Sequence, residues 1–581
     1  MRPRRWKRLS GKGRNNRKIN DGMRQHSGYP RLFRAFAAAL AAVLYLCSPP
    51  SASAEGNDER YFSDLKGIEL MGQVYREVAE KYVDTLSISR LMYSAIDGML
   101  ETLDPYTVFL DEQQSRELGE LTSSQYAGIG ITIGSIESSI FVTSVEKGWP
   151  AAKAGMLVGD RITEVNGVRL KNKSLERVRE LIKGNAGVPL TLAVNRRNSG
   201  RLTFRLMREE IRLSTVNFSG LVEGFGYIGL ESFGTRTFED VQRALAGIRE
   251  EVATSGGPLK GIILDLRDNP GGLLDAAVDV TSMFVPEESP VVSIRGRSQG
   301  STKAYRTMRA PEEPDIPLAI LINARSASAA EIVSGAVQDL DRGILIGERS
   351  FGKGLVQSVI RLPYDNDLKL TTAKYYTPSG RLIQQEGNGA TASLRDVLPR
   401  RKRTGSGHEL FRTAAKRKVY GGGGIAPDIA VEPPAESPYL EQLRYRGMLF
   451  LFSLNHASDP LDSADSTALI SAFSRFLKNH EFSYRSADEK RFEVFIQSFD
   501  EDGDRKKNMP LLEAVRDELE RLRNDEVARA TGEVAVALRE EIVRQRDPEA
   551  ARRLELARDP LFGKTVEVLS APRKYARLLR P

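Results

Sequence analysis

Three nearly continuous apolar runs constrain this chain more than any other feature: Gly261-Ile-Ile-Leu-Asp-Leu-Arg267, Leu318-Ala-Ile-Leu-Ile-Asn323 and Gly343-Ile-Leu-Ile-Gly347. None has the polar alternation of a strand with one wet face, so each reads as a strand buried on both sides. Between them the apolar residues take helical spacing, at Leu273, Ala277, Val280 and Phe284, and again at Ile332, Val333, Ala336, Val337 and Leu340. Strands alternating with helices predict a largely parallel sheet across residues 211–435, with any chemistry at the strand-to-helix turns.

Those turns are unusual. The first is Asn269-Pro270-Gly271-Gly272; the second is Asn323-Ala-Arg-Ser326-Ala-Ser328-Ala329-Ala330-Glu331. After the third run comes Gly352-Lys353-Gly354-Leu355-Val356-Gln357. A serine between a buried strand and a helix is exposed on a fixed backbone, and a hydroxyl needs a base before it attacks. No histidine or cysteine is nearby, so the local base is an amine, and the pattern points to a serine–lysine hydrolase. Lys353 has no acid within four residues, and burial without a counter-ion lowers a lysine pKa. Gln357, four residues on, is expected to share its face and to orient the amine without charging it. The N–H groups of Ala329 and of the glycine turn are the candidate oxyanion donors. Ser326 is a rival nucleophile, more naturally a turn-holding hydroxyl. Glu331 reads as a helix-dipole partner, and Asp265, Arg267 and Asp268 as supports of the sheet end. Gly347 to Lys353 comes one residue from a phosphate-binding loop, but Gly354 stands where Ser or Thr is required.

Residues 122–210 change to short β runs with one amphipathic helix at Leu175, Val178 and Ile182. With Gly128-Ile129-Gly130-Ile131 heading the first run, then Ala154-Gly155, Gly159-Asp160 and Asn166-Gly167, this segment resembles a PDZ domain. The resemblance implies that Gly128–Ile131 binds a chain-terminal carboxylate while the peptide adds as a strand.

From the helical pair at 68–100 to Gly424-Ile-Ala-Pro-Asp428, the chain resembles a carboxyl-terminal processing, or tail-specific, protease. The resemblance implies a crotonase-like α/β core and a serine endopeptidase with an acyl-enzyme mechanism and no metal or organic cofactor. It assigns Ser328 as nucleophile, Lys353 as base and Gln357 as its orienting partner, with Gly272, Gly271 and Ala329 at the oxyanion. The expected partners are proteins with exposed apolar C-termini, presented by a PDZ domain able to move and gate the site. The alternative is a non-catalytic tail-binding scaffold on the same fold, which needs none of Ser328, Lys353 and Gln357.

The net charge of +8 invites a nucleic-acid reading. Residues 1–54 hold 12 Lys/Arg and one acid, a net of +11, which leaves 73 basic and 76 acidic groups, a net of −3, for the rest. Polyanion binding therefore loses its support. The basic segment precedes the apolar run Ala35–Leu46 and Ala52-Ser53-Ala54, the pattern of a secretory signal peptide, and Met23 is an alternative start. Export to the periplasm or beyond is the expectation, with an uncleaved membrane anchor as the alternative. Cys47 is the only cysteine, so disulfides and thiol catalysis are not expected after cleavage. His26, His408, His456 and His480 are too scattered for a ligand cluster. Asp500-Glu-Asp502-Gly503-Asp504 lacks the spacing of a calcium loop. Residues 55–121 read as an N-terminal helical region and 436–581 as charged helices without evident chemistry, whose roles in assembly the sequence leaves open.

Overall fold

The computed structural model describes residues 55–123, 125–297, 299–385, 409–432, 434–456, 465–499 and 505–581. The leader with His26 and Cys47, His408 and the acidic 500–504 segment lie outside the described residues. The chain forms two compact units, Met1–Tyr93 and Ser94–Pro581. The described part of the first consists of the helix Glu55–Lys81 and the opening of the helix Ile88–Leu100.

The second unit is built on a six-stranded sheet in the order Val216–Val222, Phe225–Leu230, Ile262–Asp265, Leu318–Ile322, Ile344–Gly347, Ile429–Ala430. The first pair is antiparallel and every later pairing is parallel. Because successive strand residues face opposite sides, the apolar runs divide cleanly. Ile228, Ile262, Leu264, Ile320 and Leu345 pack under the helices Thr237–Ser255, Leu274–Ser282 and Ala329–Asp339. Tyr227, Ile263, Ala319, Leu321 and Ile346 face the other way, onto Leu556, Phe562, Val568 and Leu569 of the far C-terminal helices Pro548–Arg558 and Pro560–Leu569.

A second sheet, antiparallel throughout, was not anticipated. Val108–Leu110, Asp367–Tyr376, Pro290–Gly296 and Lys303–Arg306 lie in that order, and Leu355–Arg361 also pairs with Asp367–Tyr376. The glycine-flanked lysine therefore enters a strand, and the helix that a phosphate loop requires is not there.

Residues 125–212 form a two-stranded ladder (Gln125–Gly128 with Glu209–Arg212) and a six-stranded antiparallel sheet around Val142, Val165, Val178, Leu192 and Val194. The helix Leu175–Ile182 begins at Ser174, whose hydroxyl accepts the Arg177 N–H. The C-terminal helices Pro438–Tyr445, Met448–His456, Ser466–Asn479 and Arg505–Arg546 share their own core of Leu443, Phe452, Phe473, Val534 and Leu538. The Met448–His456 helix also reaches the β domain: Phe450 meets Phe141 edge-on at 6.5 Å, and a side chain added at Gly159 would strike Leu454 at 2.7 Å. No helix among the described residues is long and apolar enough to cross a membrane.

Candidate active site

The strand Leu318–Ile322 runs into a turn in which Ser326 is fully buried. Its hydroxyl donates to the Leu266 carbonyl (2.7 Å) and accepts the Asn323 N–H (2.9 Å), so it is spent on the turn. Ser328 follows with φ 55° and ψ −114°, a conformation that L-residues rarely adopt, at the N-terminus of the helix Ala329–Asp339. Such backbone persists only where its surroundings over-determine it. Here the Ser328 N–H donates to Glu331 Oε2 at 2.8 Å, and the Ala327 N–H donates to the Asn269 carbonyl at 2.9 Å.

The glycine turn lies directly against this serine. A Cβ at Gly271 (φ 99°) would come within 2.7 Å of Ser328 Cβ and 2.9 Å of the Ala329 nitrogen, so only glycine permits the approach. The Gly271 N–H donates to Asn269 Oδ1 at 2.8 Å, so that N–H is engaged here and Gly272 is the better placed of the two glycines as candidate oxyanion donor. Among the described residues no acceptor takes the N–H of Gly272 or of Ala329. Asp268 ties the two turns together, accepting from Asn323 Nδ2 (2.7 Å) and Arg325 Nε (2.6 Å).

The lysine loop is joined to the serine turn by a set of hydrogen bonds. The Phe351 N–H donates to the Ser326 carbonyl at 3.0 Å. The Lys353 N–H donates to Glu331 Oε2 at 2.9 Å, the same oxygen that holds the Ser328 N–H. The Tyr375 hydroxyl lies against the carbonyls of both Lys353 and Ser328. Glu331 is fully buried and also accepts from the Gly352 N–H (2.7 Å) and the Ser350 hydroxyl (2.5 Å). Burial raises its pKa while these four donors oppose the rise. The dipole role expected of it understates it: Glu331 is the buried anchor on which the serine turn and the lysine loop are hung.

The Lys353 amine is partly buried, and its Nζ lies 4.8 Å from the centre of the Tyr106 ring. Its pKa is lowered to about 8, chiefly by burial, then by the like charge of Lys369, against the opposing pull of Glu331 and Asp104. Through-space anions are thus present where the local sequence shows none, and desolvation outweighs them. Gln357 departs from expectation. A register irregularity between Val356 and Gln357 breaks the strand alternation, and the Gln357 amide points to Thr371 Oγ1 at 3.4 Å, with no hydrogen bond to Lys353. Thr371 in turn donates to Asp104 Oδ1 (3.2 Å), which also caps the N–H groups of Tyr106 and Thr107. Tyr106, Asp104 and Tyr375 carry no motif or periodicity signal; Asp104-Pro105 reads only as a helix stop.

In the β domain, Ile129 is buried and its carbonyl accepts the Ala151 N–H, while that of Gly130 accepts the Glu146 N–H, both at 3.0 Å. No described acceptor takes the N–H of Ile129 or Gly130. Gly128 closes the short ladder and Ile131 opens the strand Ile131–Ile136, an outermost strand of its sheet. Among the described residues no cluster of His, Cys, Asp and Glu could hold a metal ion.

Several segments of the chain are similar to known proteins. Residues 224–392 match the peptidase family S41 and 141–196 a PDZ domain. Residues 46–114 match the N-terminal domain of the activating protease CtpB, and 445–569 a probable PDZ-protease C-terminal helical domain. The chain is 38% identical over 336 residues to a carboxy-terminal-processing protease of Bartonella bacilliformis, covering 58% of this chain and 76% of that one. It is 31% identical over 349 residues to the carboxy-terminal processing protease CtpB of Bacillus subtilis, covering 59% and 70%. A solved photosystem II D1 C-terminal processing protease aligns at 28% identity over 64% of this chain and 94% of that one, with a TM-score of 0.33.

Proposed function

Since this chain belongs to the carboxy-terminal processing proteases, serine-type peptidases of family S41 with a PDZ domain, we propose that Ser328 and Lys353 form its catalytic dyad. Neutral Lys353 takes the proton of the Ser328 hydroxyl as it attacks a peptide carbonyl. The N–H groups of Gly272 and Ala329, at the positive end of a helix, receive the negative oxygen. Lys353 returns the proton to the leaving amine, and water resolves the acyl-enzyme. Gln357 acts on the amine at one remove, through Thr371 and Asp104. The loop Gly128–Ile131 captures the C-terminus of a protein substrate with an apolar tail. The basic and apolar leader directs the chain out of the cytoplasm, to the periplasm or a membrane facing it. A homo-oligomer fits the exposed apolar positions Ile68, Met71 and Val74 of the first helix.

One observation carries the dyad: a single carboxylate oxygen, Glu331 Oε2, accepts the N–H of both Ser328 and Lys353. The test incubates the purified chain with a tail-exposed protein, beside Ser328→Ala, Lys353→Ala and Ser326→Ala. Cleavage is expected to vanish in the first two variants and to persist in the third. Equal cleavage by all four would reject the dyad, and none by any would favour a tail-binding scaffold.

A further inference from the structure

A groove of about 570 Å³ lies beside the strand Ile131–Ile136, and its third wall comes from outside the β domain. Its floor is apolar, with Ile129, Ile131, Ile133 and Ile182. The helix Leu175–Ile182 forms one side. The other is the helix Glu112–Ser123, which turns Gln113, Glu117 and Glu120 toward the groove at helical spacing. The outer edge of Ile131–Ile136 carries no strand among the described residues, which leaves it open to an added peptide.

The rim of this groove carries an acidic excess. Glu117, Glu120, Glu146, Glu176 and Glu180 line it, against Arg179 and Lys183, for a net charge of −3. Glu120 is neutralised by Lys183 and Glu180 by Arg177. Glu117, Glu146 and Glu176 are exposed and make no salt bridge among the described residues. Tyr126 on the wall registers the same field: its pKa is pushed up to about 12 by burial first, then by Glu146 and Glu120. A peptide lying here must end in a group that suits isoleucines and carry side chains that suit three exposed carboxylates without a salt-bridge partner.

Resting on the tail-capture reading above, we propose that this groove selects tails that end in an apolar residue and carry lysine or arginine in the few residues before it. Charge complementarity at an exposed rim adds little per pair, but several pairs together discriminate, and like charges repel. The substrates are therefore proteins with basic, apolar-ended C-termini, and acidic tails are refused at the groove before the active site is reached.

The experiment measures binding of three fluorescent peptides to the full chain carrying Ser328→Ala, so that nothing is cut. All end in the same apolar residue, and the preceding residues are lysine-, serine- or glutamate-rich; a fourth peptide is the lysine tail with its carboxyl amidated. At low salt the lysine tail is expected to bind about tenfold tighter than the glutamate tail, with the serine tail between them. At high salt the spread collapses, because screening shortens the reach of the rim to a few ångströms. The triple variant Glu117→Gln, Glu146→Gln, Glu176→Gln, at exposed positions where the amide keeps a hydrogen-bond acceptor, removes the spread at low salt as well. Equal affinity for lysine and glutamate tails, with amidation still abolishing binding, overturns the charge preference and leaves tail capture standing. An amidated tail that binds as well as the free acid overturns tail capture and the preference together.

Discussion

The two faces of the six-stranded sheet are equally apolar, yet they are covered in opposite ways. One face is roofed by helices that directly follow the strands they cover, as Ala329–Asp339 follows Leu318–Ile322. The other is roofed by Pro548–Leu569, more than 200 residues beyond the strand Ile344–Gly347. The near roof is a consequence of the parallel connection itself, because a crossover must pass over the sheet. The far roof is an independent docking event, with a sealing polar contact at its edge. There Asp559 pairs with Arg267 at 2.6 Å, Arg267 pairs with Asp265, and Asp265 accepts the Tyr227 hydroxyl at 2.6 Å. This cluster sits beside the turn that carries Gly271 and Gly272. The C-terminal helices are thus part of the protease core, although nothing in their own sequence carries chemistry.

The sharpest way to break the comparison is to remove the far roof. Deleting residues 547–581 strips Leu556, Leu561, Phe562, Val568 and Leu569, all nearly fully buried, from the sheet. At ~1.5–3 kcal/mol per buried side chain the loss is about 10 kcal/mol, comparable with the whole stability of a typical domain. The truncated chain is expected to be insoluble or to lose its cooperative thermal transition. A soluble truncation that melts at the original temperature and still cleaves would show that the far roof is an ornament.

This asymmetry also marks what could be read in advance. The sheet, its near helices and the serine turn were legible because strand, turn and helix are contiguous, and local periodicity reports contiguous structure. The same holds for the β domain, whose glycines sit at its turns. What escaped depends on residues that meet from distant points in the chain. Lys353 opens an antiparallel sheet that joins Val108–Leu110 to Asp367–Tyr376, and no local pattern announces such a partnership. Tyr106 reaches the Lys353 amine from almost 250 positions earlier. Gln357 looked like the natural neighbour of Lys353 at a spacing of four, and the irregularity before it redirects its amide to Thr371. Glu331 was visible only as a helix N-terminal acid, because its other donors, Ser350, Gly352 and Lys353, belong to a loop 19–22 residues on.

Glu331→Gln probes the near roof in the same way, at smaller cost. The amide keeps the volume but presents an N–H₂ group toward backbone N–H donors, so at least one buried donor loses its acceptor. Losing a hydrogen bond to a buried charged group costs ~1.5–3 kcal/mol. Because the lost contacts fix Ser328 and Lys353 themselves, kcat is expected to fall about 10–100-fold while KM changes little, by the relation of barrier to rate. A variant that is less stable yet unimpaired in kcat would reduce Glu331 to a structural anchor.

The smallest effect, and the most specific, is a shift in a pH profile. With the Lys353 pKa lowered to about 8, the neutral amine is a minority at pH 7. Cleavage should therefore climb as pH rises and level off above about 8, the limb belonging to the free enzyme in kcat/KM. In the unfolded chain the amine returns to its ordinary pKa of ~10.4. Between the two values the unfolded state holds the proton that the native state has released, so the cost this group imposes on folding is full below about 8 and shrinks as pH rises toward the ordinary lysine value. Lys369, on the neighbouring strand, contributes to the depression by like-charge repulsion, second to burial. Lys369→Gln removes that repulsion and touches neither roof, so the activity limb should move to higher pH by a fraction of a unit with little change in plateau rate or melting temperature. A limb that stays in place would mean that burial alone sets the amine, and one that moves to lower pH would mean that Lys353 is not the group being titrated.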